Sequence, residues 1–277
     1  MGLRIYNNVE AQNAHRQLQA TNDKLSSTME RLSSGLRINR AADDAAGLAV
    51  SEEMRTQIRG MKVASRNALD GVSLVQVADG ALSGVNDMLQ RVRDLAVQAA
   101  NGTLTDLQRG NLDQEVQSIV AEMARVASDT EFNGVKILSG SVATAASAIT
   151  LQVGANGSQV IAFTVATMTA SDLGISGLAV STAASATAAI ASIDAAIRSV
   201  NSQRASMGAI QNRLEQTISR LELTSENLQA AESRIRDADM ASEMIDYTRN
   251  QILQQSGTAM LAQANQAPQS ILQLLQG

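Results

Sequence analysis

Hydrophobic residues recur every three or four positions along most of the chain, in three long blocks. In the first block these positions are Leu25, Met29, Leu32 and Leu36, then Met54, Ile58, Met61, Ala68, Val72 and Val75, and then Leu82, Val85, Leu89, Val92 and Leu95. The second block begins at Thr105 and Gln108, which form a capping-box pattern. Its spaced positions are Leu112, Val116, Ile119, Met123 and Val126. This spacing predicts long amphipathic helices.

The third block, residues 190–235, keeps one alternating three-four spacing throughout. Its apolar positions are Ile190, Ile193, Ile197, Val200, Met207, Leu214, Ile218, Leu221, Leu228 and Ile235, and its polar ones are Arg204, Gln211, Ser225 and Glu232. A periodic pattern of this length predicts a coiled coil or an extended helical bundle. We expect Arg204 and Gln211, as polar residues on the seam, to fix the register of the helices.

The middle of the chain has a different pattern. Only Asp172 is charged between Lys136 and Asp194. Apolar and polar residues alternate in two short runs, residues 149–153 and 161–165, with Asn156 and Gly157 between them. This arrangement predicts a β-hairpin. Residues 139–148 and 181–189 are predicted to be surface loops or weakly structured connections.

The two ends of the chain share an unusual pattern, in which apolar residues occur among few charges. Residues 250–277 contain no charged side chain and eight glutamines. The candidate anchors for assembly are Leu3, Ile5, Val9, Leu18, Ile252, Leu253, Met260, Leu261, Ile271, Leu272, Leu274 and Leu275. We predict that the ends bury these stripes against each other and against neighbouring copies. Repeated head to tail without ring closure, such a contact generates a helical filament.

Composition excludes most catalytic and metal chemistry. The 277 residues include no cysteine or tryptophan, one proline and one histidine. Disulfides and Cys/His zinc sites are therefore excluded, and a Ser-His-Asp arrangement would have to use His15, which we interpret as a solvated or packed residue. Asp43 and Asp44 are expected to start a helix or to contact Arg37 or Arg40. We predict no catalytic, cofactor-binding or metal-binding residue, and hence no enzyme and no cofactor.

The charge balance favours neither nucleic acid nor membrane as a partner. There are 22 Lys and Arg residues against 27 Asp and Glu, and no basic run is paired with stacking aromatics. No apolar stretch is long enough to cross a bilayer, which also disfavours a chemoreceptor-like signalling coiled coil. The first residues lack a secretory-signal pattern, and Tyr6 stands where a myristoylation motif needs Ser or Thr.

Ordered sequence motifs along nearly the whole chain resemble those of bacterial flagellins. They are residues 7–11 (NNVEA), 30–39 (ERLSSGLRIN), 43–49 (DDAAGLA), 90–98 (QRVRDLAVQ), 132–138 (FNGVKIL), 151–156 (LQVGAN), 211–214 (QNRL), 226–228 (ENL), 233–239 (SRIRDAD) and 262–266 (AQANQ). The resemblance implies a mainly α fold, with long antiparallel helices in a coiled-coil bundle and a small β-hairpin in the middle of the chain.

The same resemblance implies a division of labour along the chain. Residues 1–42 and 239–277 would form the two halves of the filament-core coiled coil. Residues 43–138 and 190–238 would form the helices of the surrounding shell, and residues 139–189 the short hairpin and surface loops. The implied function is a subunit that is exported and polymerises into the extracellular flagellar filament for swimming. The alternative is a minor hook-filament junction protein of the same family, which cellular abundance would distinguish.

The resemblance also implies partners. These are other copies of the chain, a flagellar export chaperone, the filament cap and hook-junction proteins, and a type III export apparatus. Arg91, Leu95 and Glu115 match positions that animal Toll-like receptor 5 contacts, with Asp94 in place of the commoner Glu. The alternative is that they are ordinary shell residues whose match reflects subunit packing. Residues 30–51 resemble the epitope of plant flagellin receptor kinases, from which Leu36, Arg40 and Ala42 depart.

Overall fold

The computed structural model describes residues 8–276, and for residue 145 and residues 267–276 it describes the backbone alone. Its helices are α1 (Val9–Ser34), α2 (Ala45–Ala99), α3 (Asp106–Asp129), α4 (Ala183–Arg236) and α5 (Met240–Gln276), with a short 3-10 helix at Ala145–Ser147. Its strands are β1 (Glu131–Phe132), β2 (Val135–Lys136), β3 (Ile149–Gln152) and β4 (Val160–Phe163). The predicted fold class, mainly α with a small hairpin in mid-chain, is confirmed.

Local sequence signals set the ends of the helices. The side chain of Asn8 accepts a hydrogen bond from the backbone N–H of Ala11 and so caps α1, which ends at Gly35 in the left-handed conformation. The predicted capping box at the start of α3 is confirmed, since Thr105 and Gln108 each bond the other's backbone. These caps satisfy backbone groups that the helix leaves unpaired.

Two antiparallel hairpins follow α3. In the predicted one, Ile149 of β3 pairs with Phe163 of β4, and Gln152 pairs with Val160. The other, β1 and β2, turns through Asn133 and Gly134, both at positive φ, as a tight hairpin turn requires. One loop prediction was wrong: α4 begins at Ala183, so residues 183–189 are helical. Alanine and serine in that stretch have no aliphatic periodicity, but the alanines are good helix formers.

The chain divides into two compact units, which we call the terminal unit (Met1–Thr56 with Asn227–Gly277) and the central unit (Gln57–Glu226). Within the central unit, α2 and α4 are antiparallel, since Arg93 binds Asp194 at 2.7 Å and Arg204 binds Asp79 at 2.9 Å. One set of buried residues of α2 repeats with an alternating three-four spacing: Met61, Ala64, Ala68, Gly71, Val75, Ala78, Leu82, Val85, Leu89, Val92, Ala96 and Ala99. A strict seven-residue repeat is typical of coiled-coil packing.

Helix α3 folds back along α2 and is fastened at the turn. The buried Arg109 donates from Nε to the carbonyl of Ala99 at 3.0 Å and from Nη2 to that of Asn101 at 3.1 Å. These bonds satisfy carbonyls at the end of α2 that have no partner within the helix. The irregular segment after β4 is joined to α3 as well, because Asp113 accepts a hydrogen bond from the backbone N–H of Val180 at 2.7 Å.

The buried stripe of α4, which we call its seam, matches the predicted stripe at every second position between residues 193 and 221. At several of the other positions the buried residue is the one just before the predicted residue. Met207 and Leu214 are buried as predicted, but the buried position between them is Ile210 and not Gln211. One turn before Met207, Gln203 and Arg204 are both half-buried. Arg204 pairs with Asp79 at the side of the seam, and Gln211 bonds Glu215 of its own helix at 2.9 Å. Because the apolar stripe of a globular helix is wider than a coiled-coil seam, the spacing in the sequence fits both choices. The register role predicted for Arg204 and Gln211 stays a prediction.

The β3–β4 hairpin packs closely on α2, and glycine makes the approach possible. A Cβ atom on Gly71 would lie 2.2 Å from Cδ1 of Leu151, and one on Gly60 would lie 2.9 Å from Cβ of Ala155. Asn67 donates from Nδ2 to the carbonyl of Gln152 at 3.1 Å between these points. The hairpin is therefore part of the central core and not a free surface loop.

Leu89→Ala is expected to destabilise the central unit by about 2–5 kcal/mol, because Leu89 is fully buried and its loss leaves a cavity. Leu107→Ala is the matched control, since it removes the same atoms from a residue that is 79% exposed, and it should change stability by less than about 0.5 kcal/mol. Urea unfolding followed by circular dichroism measures both. Equal effects of the two changes would contradict this description of the core.

Candidate assembly surface

The terminal unit is built around two antiparallel helices, α1 and α5. Asn8 donates from Nδ2 to the carbonyl of Ala264 at 2.8 Å, and Arg31 lies 3.4 Å from Glu243. Between these contacts Leu18 packs on Gly257, where an added Cβ would lie 3.2 Å from Cδ1 of the leucine. The two ends of the chain therefore run side by side in opposite directions.

This helix pair buries little apolar surface. The buried residues of α1 are Thr21 and Thr28, whose hydroxyls donate to the carbonyls of Gln17 and Lys24 in their own helix. Among the described side chains of α1 and α5, none of the apolar ones is buried. The central unit, in contrast, has a continuous apolar core. Apolar burial is the main force that stabilises folded proteins, so the pair alone lacks most of a core.

The predicted anchors that the structure describes are exposed or half-buried. Val9 is 53% exposed, Ile252 is 62%, Leu253 is 50% and Met260 is 65%. Leu18 and Leu261 are half-buried. The remaining anchors fall outside the description: Leu3 and Ile5 precede the described residues, and the side chains of Ile271, Leu272, Leu274 and Leu275 are not described. Exposed apolar surface of this extent marks an interaction site.

The exposed apolar residues of α5 point in three directions, two of which lead away from α1 while the third borders it. At about 100° per residue, Met240 and Met244 point within about 40° of each other, and Ile245 lies about 100° further round the helix. Ile252 shares the direction of Ile245, and Leu253 and Met260 share a third. Met240, Met244 and Ile245 were not predicted as anchors, because they precede the uncharged segment 250–277 and stand among charged residues. Exposed apolar residues in several directions around one helix mark an interaction surface.

An open groove of about 460 Å³ lies between α1 and α5. Its lining residues are Asn13, Ala14, Gln17, Leu18, Thr21, Leu253, Ser256, Gly257 and Met260. The lining is mostly apolar and small, and it carries no charged side chain. It has the character of a packing surface for another apolar side chain.

A second contact joins the chain segments next to the helix pair. The backbone N–H of Arg37 donates to the carbonyl of Arg236 at 2.7 Å, and Ala238 donates to Gly35 at 2.9 Å. Glu52 pairs with Arg236, and this hydrogen bond lowers the pKa of the Glu52 carboxyl. The segment before α2 and the segment between α4 and α5 are therefore held together within the terminal unit.

Asp43 and Asp44 lie at the start of α2, which was the first of their two predicted roles. Asp44 accepts a hydrogen bond from the backbone N–H of Gly47 at 2.8 Å, in the manner of an N-cap. Asp43 accepts from the backbone N–H groups of Arg40 and Asn39, which lower the pKa of its carboxyl. Their predicted contact with an arginine side chain is not seen, since the guanidinium of Arg40 binds Glu30 at 2.9 Å instead.

The three candidate receptor residues lie together in the central unit, but only two of them are at its surface. Arg91 of α2 donates from Nε and Nη2 to Oε1 of Glu115 on α3, at 3.0 and 2.6 Å. Leu95 is 2% exposed and packs in the core of the central unit. His15 is exposed on α1, as the sequence suggested.

The described part of the chain shows neither a membrane-spanning helix nor a metal site. None of its helices is long and apolar enough to cross a bilayer. Residues 8–276 also contain no group of three acidic or histidine side chains that could hold an ion.

Comparison with known proteins gives consistent matches. The family model of the bacterial flagellin N-terminal helical region matches residues 5–143, and that of the C-terminal helical region matches residues 190–275. The chain is 50% identical to the flagellar filament 33 kDa core protein of Treponema phagedenis and 49% identical to a flagellin of Halalkalibacterium halodurans, over 98% of this chain and 99% of each relative. The crystal structure of Bacillus cereus flagellin matches with a TM-score of 0.50 at 31% identity, covering 56% of this chain and 88% of that one.

Proposed function

The chain belongs to the bacterial flagellin family and is a structural, non-enzymatic subunit of the flagellar filament, and we propose that its terminal unit supplies the contacts that hold the filament together. Self-polymerisation is what membership of the family implies. The exposed apolar residues of α1 and α5 are the observation that supports a role for the terminal unit in it.

The distribution of these residues around α5 supports contacts with more than one neighbour. Helix α1 covers one direction, and exposed apolar residues border that direction and occupy two others. One further helix covers roughly one side of its partner, because neighbouring helix axes stay about 8–10 Å apart. At least two neighbouring copies are therefore needed to cover α5, and repetition of unlike contacts builds an open polymer.

The proposed organisation follows the boundaries expected from the sequence. Residues 1–42 and 239–277 form the core of the filament, and residues 43–138 and 190–238 form the shell around it. Residues 139–182 contribute the hairpin and the loops, and residues 183–189 begin α4. Support comes from the burial pattern: the central unit has its own core, and the terminal helices do not.

Electron microscopy tests the proposal directly. The purified chain should polymerise into long filaments at high concentration, and filaments sheared from cells should contain it as the main component by mass spectrometry. A minor junction protein would instead be present in few copies per filament. Short or absent polymers with an intact central unit would contradict the role given to the terminal unit.

Export and capping need further partners. We propose that the subunit crosses a type III export apparatus unfolded and reaches the extracellular filament, where it meets the filament cap and hook-junction proteins. A flagellar export chaperone covers the uncharged C-terminal segment before export. The C-terminal segment carries no charge from residue 250 onward and exposes apolar residues, and both features support binding by a chaperone. Removal of residues 253–277 should abolish co-purification with the chaperone.

The Arg91–Glu115 pair is the proposed contact for Toll-like receptor 5, and Leu95 contributes to the core that holds the two helices of this pair. Arg91→Ala should lower potency by at least about tenfold, since a lost charged hydrogen bond at an interface costs about 1.5–3 kcal/mol. Arg125→Ala is the matched control, because Arg125 is an equally exposed arginine paired with Glu122 on α3. Dose-response in receptor-reporter cells measures both, and equal potency of the two variants would contradict the contact.

Residues 30–51 form the proposed epitope for plant flagellin receptor kinases. Arg40 and Ala42 are exposed, and both differ from the residues usual in the family. A synthetic peptide of residues 30–51 should elicit an oxidative burst in responsive leaves. If the peptide has no effect even at high concentration, recognition of this segment by plant flagellin receptor kinases is contradicted.

A further inference from the structure

Methionines are distributed unequally between the two units. In the central unit Met61, Met123, Met168 and Met207 are buried, and Met88 is half-buried. In the terminal unit Met29, Met240, Met244 and Met260 are 46–65% exposed, and Met54 on α2 is half-buried. All of the strongly exposed methionines among residues 8–266 therefore lie on α1 and α5, the helices that carry the assembly surface.

The exposure of a methionine thioether sets the rate at which it reacts with peroxides. Hydrogen peroxide transfers one oxygen atom to the methionine sulfur: the O–O bond breaks, an S–O bond forms, the sulfur is oxidised by two electrons, and the peroxide is reduced to water. Reaction follows access, so the thioethers on α1 and α5 react before those buried in the central unit. The product is polar and chiral, unlike the apolar group that it replaces.

We propose that Met29, Met240, Met244 and Met260 are oxidation sites that control entry of the subunit into the filament. The inference rests on the proposed function, because it requires these side chains to be buried between copies. A sulfoxide at such a contact has to lose its hydration shell without a prepared hydrogen-bond donor, which opposes burial. Peroxide therefore stops the free subunit from assembling.

The arrangement also makes the control one-directional. A subunit that has already assembled has its terminal methionines covered by neighbours, so the peroxide no longer reaches them. A free subunit remains sensitive until it assembles. Repair by methionine sulfoxide reductases restores the thioether and with it the ability to polymerise.

The test uses the full-length chain and hydrogen peroxide. Free wild-type subunit is treated until mass spectrometry shows four added oxygen atoms at these positions, the peroxide is removed, and polymerisation is followed by sedimentation. We expect the critical concentration to rise at least tenfold, which corresponds to about 1.4 kcal/mol. Filaments treated in the same way should gain fewer oxygen atoms at these four positions.

Two variants identify the residues. The quadruple variant M29L/M240L/M244L/M260L keeps the apolar volume and should polymerise normally after peroxide. Met88→Leu, a single change in the central unit, should leave the sensitivity of the chain unaltered. If the quadruple variant itself fails to polymerise, recovery of treated wild-type subunit by methionine sulfoxide reductases decides the question.

The outcomes separate this inference from the proposed function. Wild-type subunit that never polymerises, treated or not, contradicts the proposed function. Fully oxidised subunit that polymerises at the original critical concentration overturns the role of the methionines alone. Loss of assembly that reductases do not reverse, or that persists in a polymerising quadruple variant, also overturns it.

Discussion

The double variant Ile252→Lys, Leu253→Lys is expected to keep a folded central unit and to lose polymerisation completely. These residues are 62% and 50% exposed in the single chain and point in two of the three apolar directions around α5. Burial of an unpaired ammonium group costs several kcal/mol even after relaxation, and each added copy would bury two of them. The critical concentration should therefore rise by more than about a thousandfold, which corresponds to roughly 4 kcal/mol.

The matched control is Ile252→Leu, Leu253→Ile, which conserves the total apolar volume of the two positions and should polymerise close to normally. Circular dichroism and urea unfolding check that both variants retain the central unit, and sedimentation measures assembly. Because both residues are at least half exposed in the single chain, the lysines should disturb its fold far less than its assembly. Normal filaments from the lysine variant would show that α5 is not at a contact between copies.

The sequence was sufficient for the parts of the fold that depend on local pattern. The capping box at Thr105, the hairpin around Asn156 and the long helical blocks all follow from short-range rules, and the structure contains each of them. Residues 183–189 were assigned to a loop because Ala and Ser lack the large apolar side chains that reveal periodicity. Their helix is stabilised by Ala186 and Ala189, which pack in the central core.

The details that could not be predicted depend on which neighbour a side chain meets. The position of Arg204 at the side of the α4 seam depends on its ion pair with Asp79 of α2, a residue far away in the sequence. Likewise, the ion pair between Arg91 of α2 and Glu115 of α3 depends on how the two helices pack, although the spacing in the sequence already placed Leu95 on the apolar side. The exposure of Met240, Met244 and Ile245 depends on which side of α5 faces α1, and the sequence pattern does not specify that side.

In the free subunit, backbone amides of α1 and the described part of α5 are expected to exchange with solvent at least about a thousandfold faster than those of the central core. Local opening of a segment costs roughly the burial that it loses, and α1 has no buried apolar side chain. Leu82 and Leu89 of α2, in contrast, are fully buried among other apolar residues. Their amides should exchange only when the whole central unit opens.

Polymerisation should reverse this difference for the terminal helices, because neighbouring copies then supply the burial that the single chain lacks. Ordering a helix fixes its backbone and side chains, so in the free subunit α1 and α5 gain little that offsets this entropy. Hydrogen exchange followed by mass spectrometry, on free subunit and on filaments of the same chain, measures both states. Strong protection of residues 9–18 and 252–266 in the free subunit would mean that the helix pair is stable alone. In that case apolar burial between copies would drive association of helices that are already formed, and assembly would not be coupled to their folding.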